Sequence, residues 1–211
     1  MTLSTISYFL IASVLLTIAP GPDNMYLLTK SIADGTKKGV ALSCGLASGI
    51  IFHTTLVILG VAAVIKESPF AFAALKYIGA AYLIFLSYLA LRGAMKKSDK
   101  LKIESKNADK NSSYFSLFRR GLLMNILNPK VLLFFLAFLP QFISSDSDHA
   151  SLQIALLGFL FSVQTIIIFS LIAITAGKIR ELLLSIKNLP RILGFMEGAV
   201  LAIIAVILVI E

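Results

Sequence analysis

Asp23 and Lys130 each stand beside proline in an otherwise apolar stretch, within Pro20-Gly21-Pro22-Asp23-Asn24 and Asn128-Pro129-Lys130. Proline lacks a backbone donor and its ring clashes with the preceding turn, so each motif frees carbonyl and amide groups that hydrocarbon cannot satisfy. Such a break persists only against protein or a polar cavity. An ionised side chain at that place costs at least a few kcal/mol unless it is paired or hydrated. The chemistry that suits this combination is reversible binding of a zwitterion. Asp23, helped by the Asn24 carbonyl, accepts hydrogen bonds from an ammonium, and Lys130 or amide donors at the break meet a carboxylate. The structural alternative is a buried Asp23–Lys130 ion pair that locks two parts of the chain together, with the prolines as kinks.

The elements that must position these residues are membrane helices. Hydrophobic residues make up 58% of the 211 positions and charged residues 14%, and mean hydropathy is +0.91. That composition leaves too little polar surface to coat a water-soluble domain. Gly39 to Ile65 and Ser151 to Gly177 contain no Asp, Glu, Lys or Arg, and a span needs only about 20 such residues. Ile6 to Leu28, Ser68 to Leu91, Gly121 to Ile143 and Ile192 to Ile210 are four further apolar blocks, each interrupted by one charge. The sequence therefore predicts an all-α integral membrane protein of six transmembrane helices. The third is the weakest, because Lys66, Glu67 and Pro69 mark a turn and a short helix starting near Lys76 would leave five. No Lys or Arg precedes the first block, and Pro20-Gly21-Pro22-Asp23 follows it in place of small cleavage-site residues, so it reads as a retained span.

Basic residues favour cytoplasmic loops. Sixteen of the 19 fall in alternate inter-span segments: Lys30, Lys37 and Lys38; the stretch from Arg92 to Arg120; and Lys178, Arg180, Lys187 and Arg191. The opposite loops carry Lys66 and the acidic run Ser144 to His149. This alternation places both termini outside and the basic loop 92–120 in the cytoplasm, in a multi-pass protein of the inner membrane. The net charge of +8 is thus a topological signal beside anionic lipid and points away from nucleic acid. Cys44 is the single cysteine, and the sequence has no spacing for a metal cluster, so no metal or cofactor is expected.

Residues 93–118 read as a flexible basic cytoplasmic linker, separating a first three-helix repeat, 1–92, from a second, 119–211. An odd number of spans per half requires the repeats to be inverted in the membrane. The order of weak matches supports this: a proline motif in the first helix of each half, Gly45 to Gly49 beside Gly158 to Ser162 in the second, and Gly79-Ala80-Ala81 beside Gly198-Ala199-Val200 in the third. Pro22 is eight residues from Lys30 and Pro129 nine from Arg120, about 12 to 14 Å at ~1.5 Å per residue. Both breaks then fall near the middle of a hydrocarbon core roughly 30 Å thick. Paired broken helices of that kind surround a transporter's central site.

Pro20 to Asn24, Leu75-Lys76-Tyr77-Ile78-Gly79-Ala80-Ala81-Tyr82-Leu83, Asn125 to Lys130 and Phe138-Leu139-Pro140-Gln141-Phe142 together resemble the LysE/RhtB family of amino-acid exporters across nearly the whole chain. The resemblance implies efflux of amino acids such as lysine, arginine, leucine, threonine or homoserine, driven by the membrane potential or the proton gradient. With the break residues it implies a substrate site of Pro20, Gly21, Pro22, Asp23, Asn24, Asn125, Asn128, Pro129 and Lys130.

Three further polar residues lie within spans. His53 titrates near neutral pH and suits proton coupling, although a lone histidine in a bundle is more often a hydrogen-bonded packing residue. Gln164 completes a polar lining or makes an interhelical hydrogen bond. Glu197 is a proton carrier, a cation-handling group or the partner of a loop base, the last being favoured. The expected mechanism is alternating access, with an amino acid held between the halves. The alternatives are a cation or metal-ion exporter, which would favour a denser ring of acidic or carbonyl ligands, and a non-transport integral membrane subunit. Enzyme chemistry finds no nucleophile elbow or His-Glu-x-x-His motif. Small-residue patches permit a homodimer without requiring one.

Overall fold

The computed structural model describes residues 1–61, 69–96, 112–143 and 149–210. The described residues are almost entirely helical: α1 Leu3–Ile18, α2 Pro22–Asp34, α3 Thr36–Leu56, α4 Pro69–Met95, α5 Tyr114–Ile126, α6 Pro129–Leu133, α7 Ala150–Lys178, α8 Arg180–Ser185 and α9 Leu189–Ile210. A π-helical turn, Val57–Val61, extends α3; a second, Phe134–Phe138, and a 3-10 turn, Leu139–Phe142, extend α6.

Four helices are long and apolar enough to cross a bilayer, and two bent pairs raise the count to six if each is one span. The bends lie at the proline motifs, 59° between α1 and α2 and 49° between α5 and the α6 segment. Much of the outward surface is large and apolar: Leu3, Phe70 and Ile210 are each more than three-quarters exposed. In water that belt would be an aggregation liability; against lipid it is the matched surface. The third block is stronger than its sequence suggested. Alpha-helix α4 starts at Pro69, where proline is tolerated at a first turn, and runs 27 residues through Lys76 to Met95.

The loops differ in detail from the sequence expectation. Lys30 belongs to α2, and Lys37 and Lys38 to the first turn of α3. Only Gly35 separates the two helices, at φ 90° and ψ 164°, a conformation L side chains rarely adopt. Lys30 pairs with Asp34 one turn on, at 3.0 Å. The ends of the 93–118 linker are helical, in α4 and α5. Residues 97–111, the Lys66–Glu67 turn and residues 144–148 of the acidic run lie outside the described residues.

Helix α3 is central, packing on α2, α5 and α7, and α4 packs on α9. Glycines make these approaches close. A Cβ on Gly45 of α3 would meet the Phe118 carbonyl of α5, and one on Gly121 of α5 would meet the Leu42 carbonyl of α3. Backbone cannot yield as a flexible side chain can, and overpacking of this kind costs about 1–3 kcal/mol. Gly45→Ala and Gly121→Ala should therefore each lower the thermal unfolding midpoint in detergent. Gly93→Ala, where a Cβ meets nothing within 4 Å, should not.

The two buried apolar clusters stand on either side of the breaks. The larger joins Phe9 and Leu16 of α1, Phe134 to Phe142 and Phe161 of α7 with residues of α3, α4 and α9. Its rings interlock: Phe134 stacks on Phe138 and Phe161 at 4.8 and 5.4 Å, and Phe9 meets Phe142 edge-on at 5.5 Å. The smaller joins Leu27 of α2, Leu42 and Leu46 of α3, Leu117 of α5, and Phe169 and Ala173 of α7.

Candidate functional site

Each proline break is repaired by a side chain, and the repairs bring the two breaks together. Pro20 cannot donate to the Leu16 carbonyl four residues back. The Lys130 ammonium does so instead, at 3.3 Å, and also donates to the Ala19 carbonyl at 2.9 Å. Asn24 Nδ2 donates to the Thr17 carbonyl at 2.8 Å. In the second break Pro129 cannot serve the Asn125 carbonyl. That oxygen accepts from the Asn128 amide and from His53 Nε2, both at 3.0 Å.

Helix termini explain the placement of the charges. Asp23 lies in the first turn of α2, where partial positive charge favours a carboxylate, and the Lys130 ammonium meets the carbonyl end of α1, where a cation is favoured. Asn128 serves both breaks: its Oδ1 caps α6 by accepting from the Lys130 amide at 3.0 Å, and its Nδ2 donates to Asp23 Oδ2 at 3.1 Å. Asp23 and Lys130 are 3% and 4% exposed. The Asp23–Lys130 ion pair considered from the sequence does not form as a direct contact, because the ammonium is turned to carbonyls. Asp23 Oδ1 is left buried with no hydrogen-bond partner.

Asp23, Asn125 and Lys130 line one cavity of about 10 Å³ with Thr17, Thr165 and five apolar residues, among them Leu16, Ile50 and Phe161. It is near the size of a single water and far below the roughly 300 Å³ at which small-molecule pockets begin. The polar cavity at the breaks is thus only water-sized in this conformation, with aromatic packing on one side and the smaller apolar cluster on the other.

Other expected residues are dispersed around this centre. His53 is fully buried, and since a carbonyl only accepts, its Nε2 carries the hydrogen; its ring packs 5.7 Å from that of Phe135. Gln164 Nε2 donates to the hydroxyls of Thr17 at 2.9 Å and Thr165 at 3.0 Å, joining α7 to α1. Among the described residues Glu197 makes no ion pair with a loop base, and the bases of 97–111 lie outside them. Its Oε1 instead lies 3.5 Å from the point where a Cβ on Gly21 would sit. Sequence reasoning missed Thr17 and Thr165. The available signal for Thr17 was its carbonyl's position four residues before Gly21, inside the turn that the prolines open.

A match to the LysE type translocator family model covers residues 14–211. The chain belongs to that family. An uncharacterized membrane protein of Pseudomonas aeruginosa is 30% identical over 171 residues, covering 81% of this chain and 79% of the relative. The uncharacterized membrane protein YrhP of Bacillus subtilis is 36% identical over 151 residues, 69% of this chain and 70% of the relative. A leucine efflux protein of Salmonella choleraesuis is 24% identical over 190 residues, 90% and 87% of the two chains. No solved structure matches. The proline motifs of this translocator, Pro20 to Asn24 and Asn128 to Lys130, lie within the matched region.

Gly21 is required at the centre by closeness rather than by conformation, since its φ of −125° is ordinary extended backbone. A Cβ there would stand 2.9 Å from Asp23 Oδ1 and 3.1 Å from Lys130 Nζ. Gly21→Ala should displace Asp23 Oδ1 and press on the ammonium, straining its bonds to the carbonyls. Loss of one charge-assisted hydrogen bond, ~1.5–3 kcal/mol, corresponds to a roughly ten- to hundredfold fall in transport. Transport in vesicles matched for inserted protein measures it.

Proposed function

We propose that this translocator exports amino acids from the cytoplasm across the inner membrane by alternating access, coupled to the proton gradient or membrane potential. The observation that carries the reading is the buried, unpartnered Asp23 Oδ1 beside a lysine held only by backbone carbonyls, where two broken helices meet. A substrate's ammonium supplies the donors that this carboxylate oxygen lacks. Its carboxylate competes with the Leu16 and Ala19 carbonyls for Lys130. Pro20, Gly21, Pro22 and Pro129 shape the breaks, and Asn24, Asn125 and Asn128 supply amide groups at their edges. The leucine efflux relative supports an amino-acid cargo.

In this reading the two halves, 1–92 and 119–211, are inverted repeats that rock about the centre. Both termini lie outside, and the basic loop is cytoplasmic. The closed conformation is a step between an inward-open and an outward-open form. Opening separates the Phe134–Phe161 packing on one face or the Leu46–Phe169 cluster on the other.

Counterflow tests the proposal. Proteoliposomes loaded with an unlabelled amino acid should accumulate the same labelled amino acid transiently, and a panel including leucine and lysine identifies the cargo. Absence of counterflow for every amino acid, with correctly inserted protein, overturns the reading.

A further inference from the structure

Glu197 brings a second carboxylate to the centre from α9, outside both broken helices. The point where a Cβ on Gly21 would sit lies 2.9 Å from Asp23 Oδ1, 3.1 Å from Lys130 Nζ and 3.5 Å from Glu197 Oε1. Two carboxylates and one ammonium therefore lie within 3.5 Å of one point, with Glu197 half-buried at the edge of the small cavity rather than in its lining. If all are ionised, the group carries one excess negative charge, which costs at least a few kcal/mol in a membrane interior. Among the described residues no salt bridge joins another charged side chain to this group. Of the helices packed on α9, α1 has no charged side chain; α4 carries Lys76 and Arg92. Glu197's own helix carries one further charge, Arg191, six residues earlier, whose guanidinium lies over the Phe195 ring. Lys130 is already committed to two carbonyls, and Asp23, 3% exposed, aims its unpartnered Oδ1 at the same space.

Two carboxylate oxygens facing one point need a positive donor between them. In the closed, empty carrier the smallest such donor is a proton; in the loaded carrier it is the substrate's ammonium. We infer that Glu197 is the proton-carrying residue of this translocator, and that a proton and the amino acid's ammonium compete for the place between Glu197 and Asp23. This inference rests on the amino-acid export reading. The proton binds the Glu197 carboxylate from outside, crosses with the empty carrier as the carboxylic acid, and leaves to the cytoplasm when the centre opens there. The ammonium then takes its place. One proton enters for each zwitterion exported, and the negative charge of the loaded centre moves outward with an inside-negative potential.

The test is labelled amino-acid counterflow and pH-gradient-driven transport in proteoliposomes, for wild type, Glu197→Gln and Glu197→Asp. In wild type, acidification should weaken apparent substrate affinity by up to about tenfold per pH unit, the limit for one competing proton. Glu197→Gln should still exchange substrate, because Asp23 remains, but without pH dependence and without response to an imposed pH gradient. Glu197→Asp should restore the pH response. Wild-type counterflow that ignores pH, or a Glu197→Gln protein that keeps the wild-type response, overturns the inference and leaves amino-acid export standing. If Glu197→Gln does not fold, wild type and Glu197→Asp decide: a pH-independent wild type, or a Glu197→Asp profile without any pH response, refutes it. Absence of counterflow in wild type refutes export itself.

Discussion

Asp23→Asn should reduce amino-acid exchange by roughly a hundredfold while the protein remains folded and inserted. The substitution keeps size and shape, and an Asn oxygen can still accept the Asn128 Nδ2–H that now reaches Asp23 Oδ2 at 3.1 Å. What it removes is the negative charge at the first turn of α2 and the charged acceptor at Oδ1. A hydrogen bond to an ionised partner contributes about 1.5–3 kcal/mol, and the upper part of that range corresponds to about a hundredfold in affinity. The helix terminus loses less, ~0.3–1 kcal/mol for a charge at a helix end, so stability should change little. Counterflow rates, compared with the thermal unfolding midpoint in detergent, check both halves of the expectation. A variant that exchanges at the wild-type rate would remove Asp23 from substrate binding.

The contrast between Asp23 and its surroundings shows what could be read from the chain alone. Proline beside a charge inside an apolar block is a local signal, and it located both breaks and the residues that meet there. The apolar blocks gave the helices because lipid rewards uninterrupted hydrophobic length, with no periodic pattern needed. Block edges were less legible. Alpha-helix α4 absorbs Lys76, whose long stem lets a charge lie on a helix without ending it. Partner choice was not legible at all. Whether Lys130 turns to Asp23 or to the carbonyls of Leu16 and Ala19 depends on how α6 sits against the end of α1, which no local pattern encodes. Glu197 illustrates the same limit. Its separation of 176 positions from Gly21 says nothing of contact, and only the rotation of α9 turns its carboxylate inward. Thr17 and Thr165 were hidden because hydroxyls in spans often bond within their own helix, as Thr17 does to the Ser13 carbonyl at 2.8 Å.

Lys130→Met should abolish exchange and also lower stability, which separates it from Asp23→Asn. Methionine approximates the length of the lysine stem but donates nothing. The Leu16 and Ala19 carbonyls at the end of α1 would then be left without their side-chain donor, and an unsatisfied buried acceptor costs about 1–3 kcal/mol. Lys130→Arg should not rescue transport, because a planar guanidinium presents its donors in a fixed fork where a compact ammonium now fits. The double variant Asp23→Asn, Lys130→Met decides what the lysine does. If its chief role were to pair with Asp23 and lock the halves, removing both charges would recover most of the stability lost with Lys130→Met alone. Because the ammonium bonds to the carbonyls that Pro20 and the break at Gly21 set free, the double variant should remain nearly as unstable as Lys130→Met. A double-mutant cycle on unfolding in detergent measures that coupling, and a recovery of more than about half the loss would establish Lys130 as a lock rather than the donor that closes a broken helix.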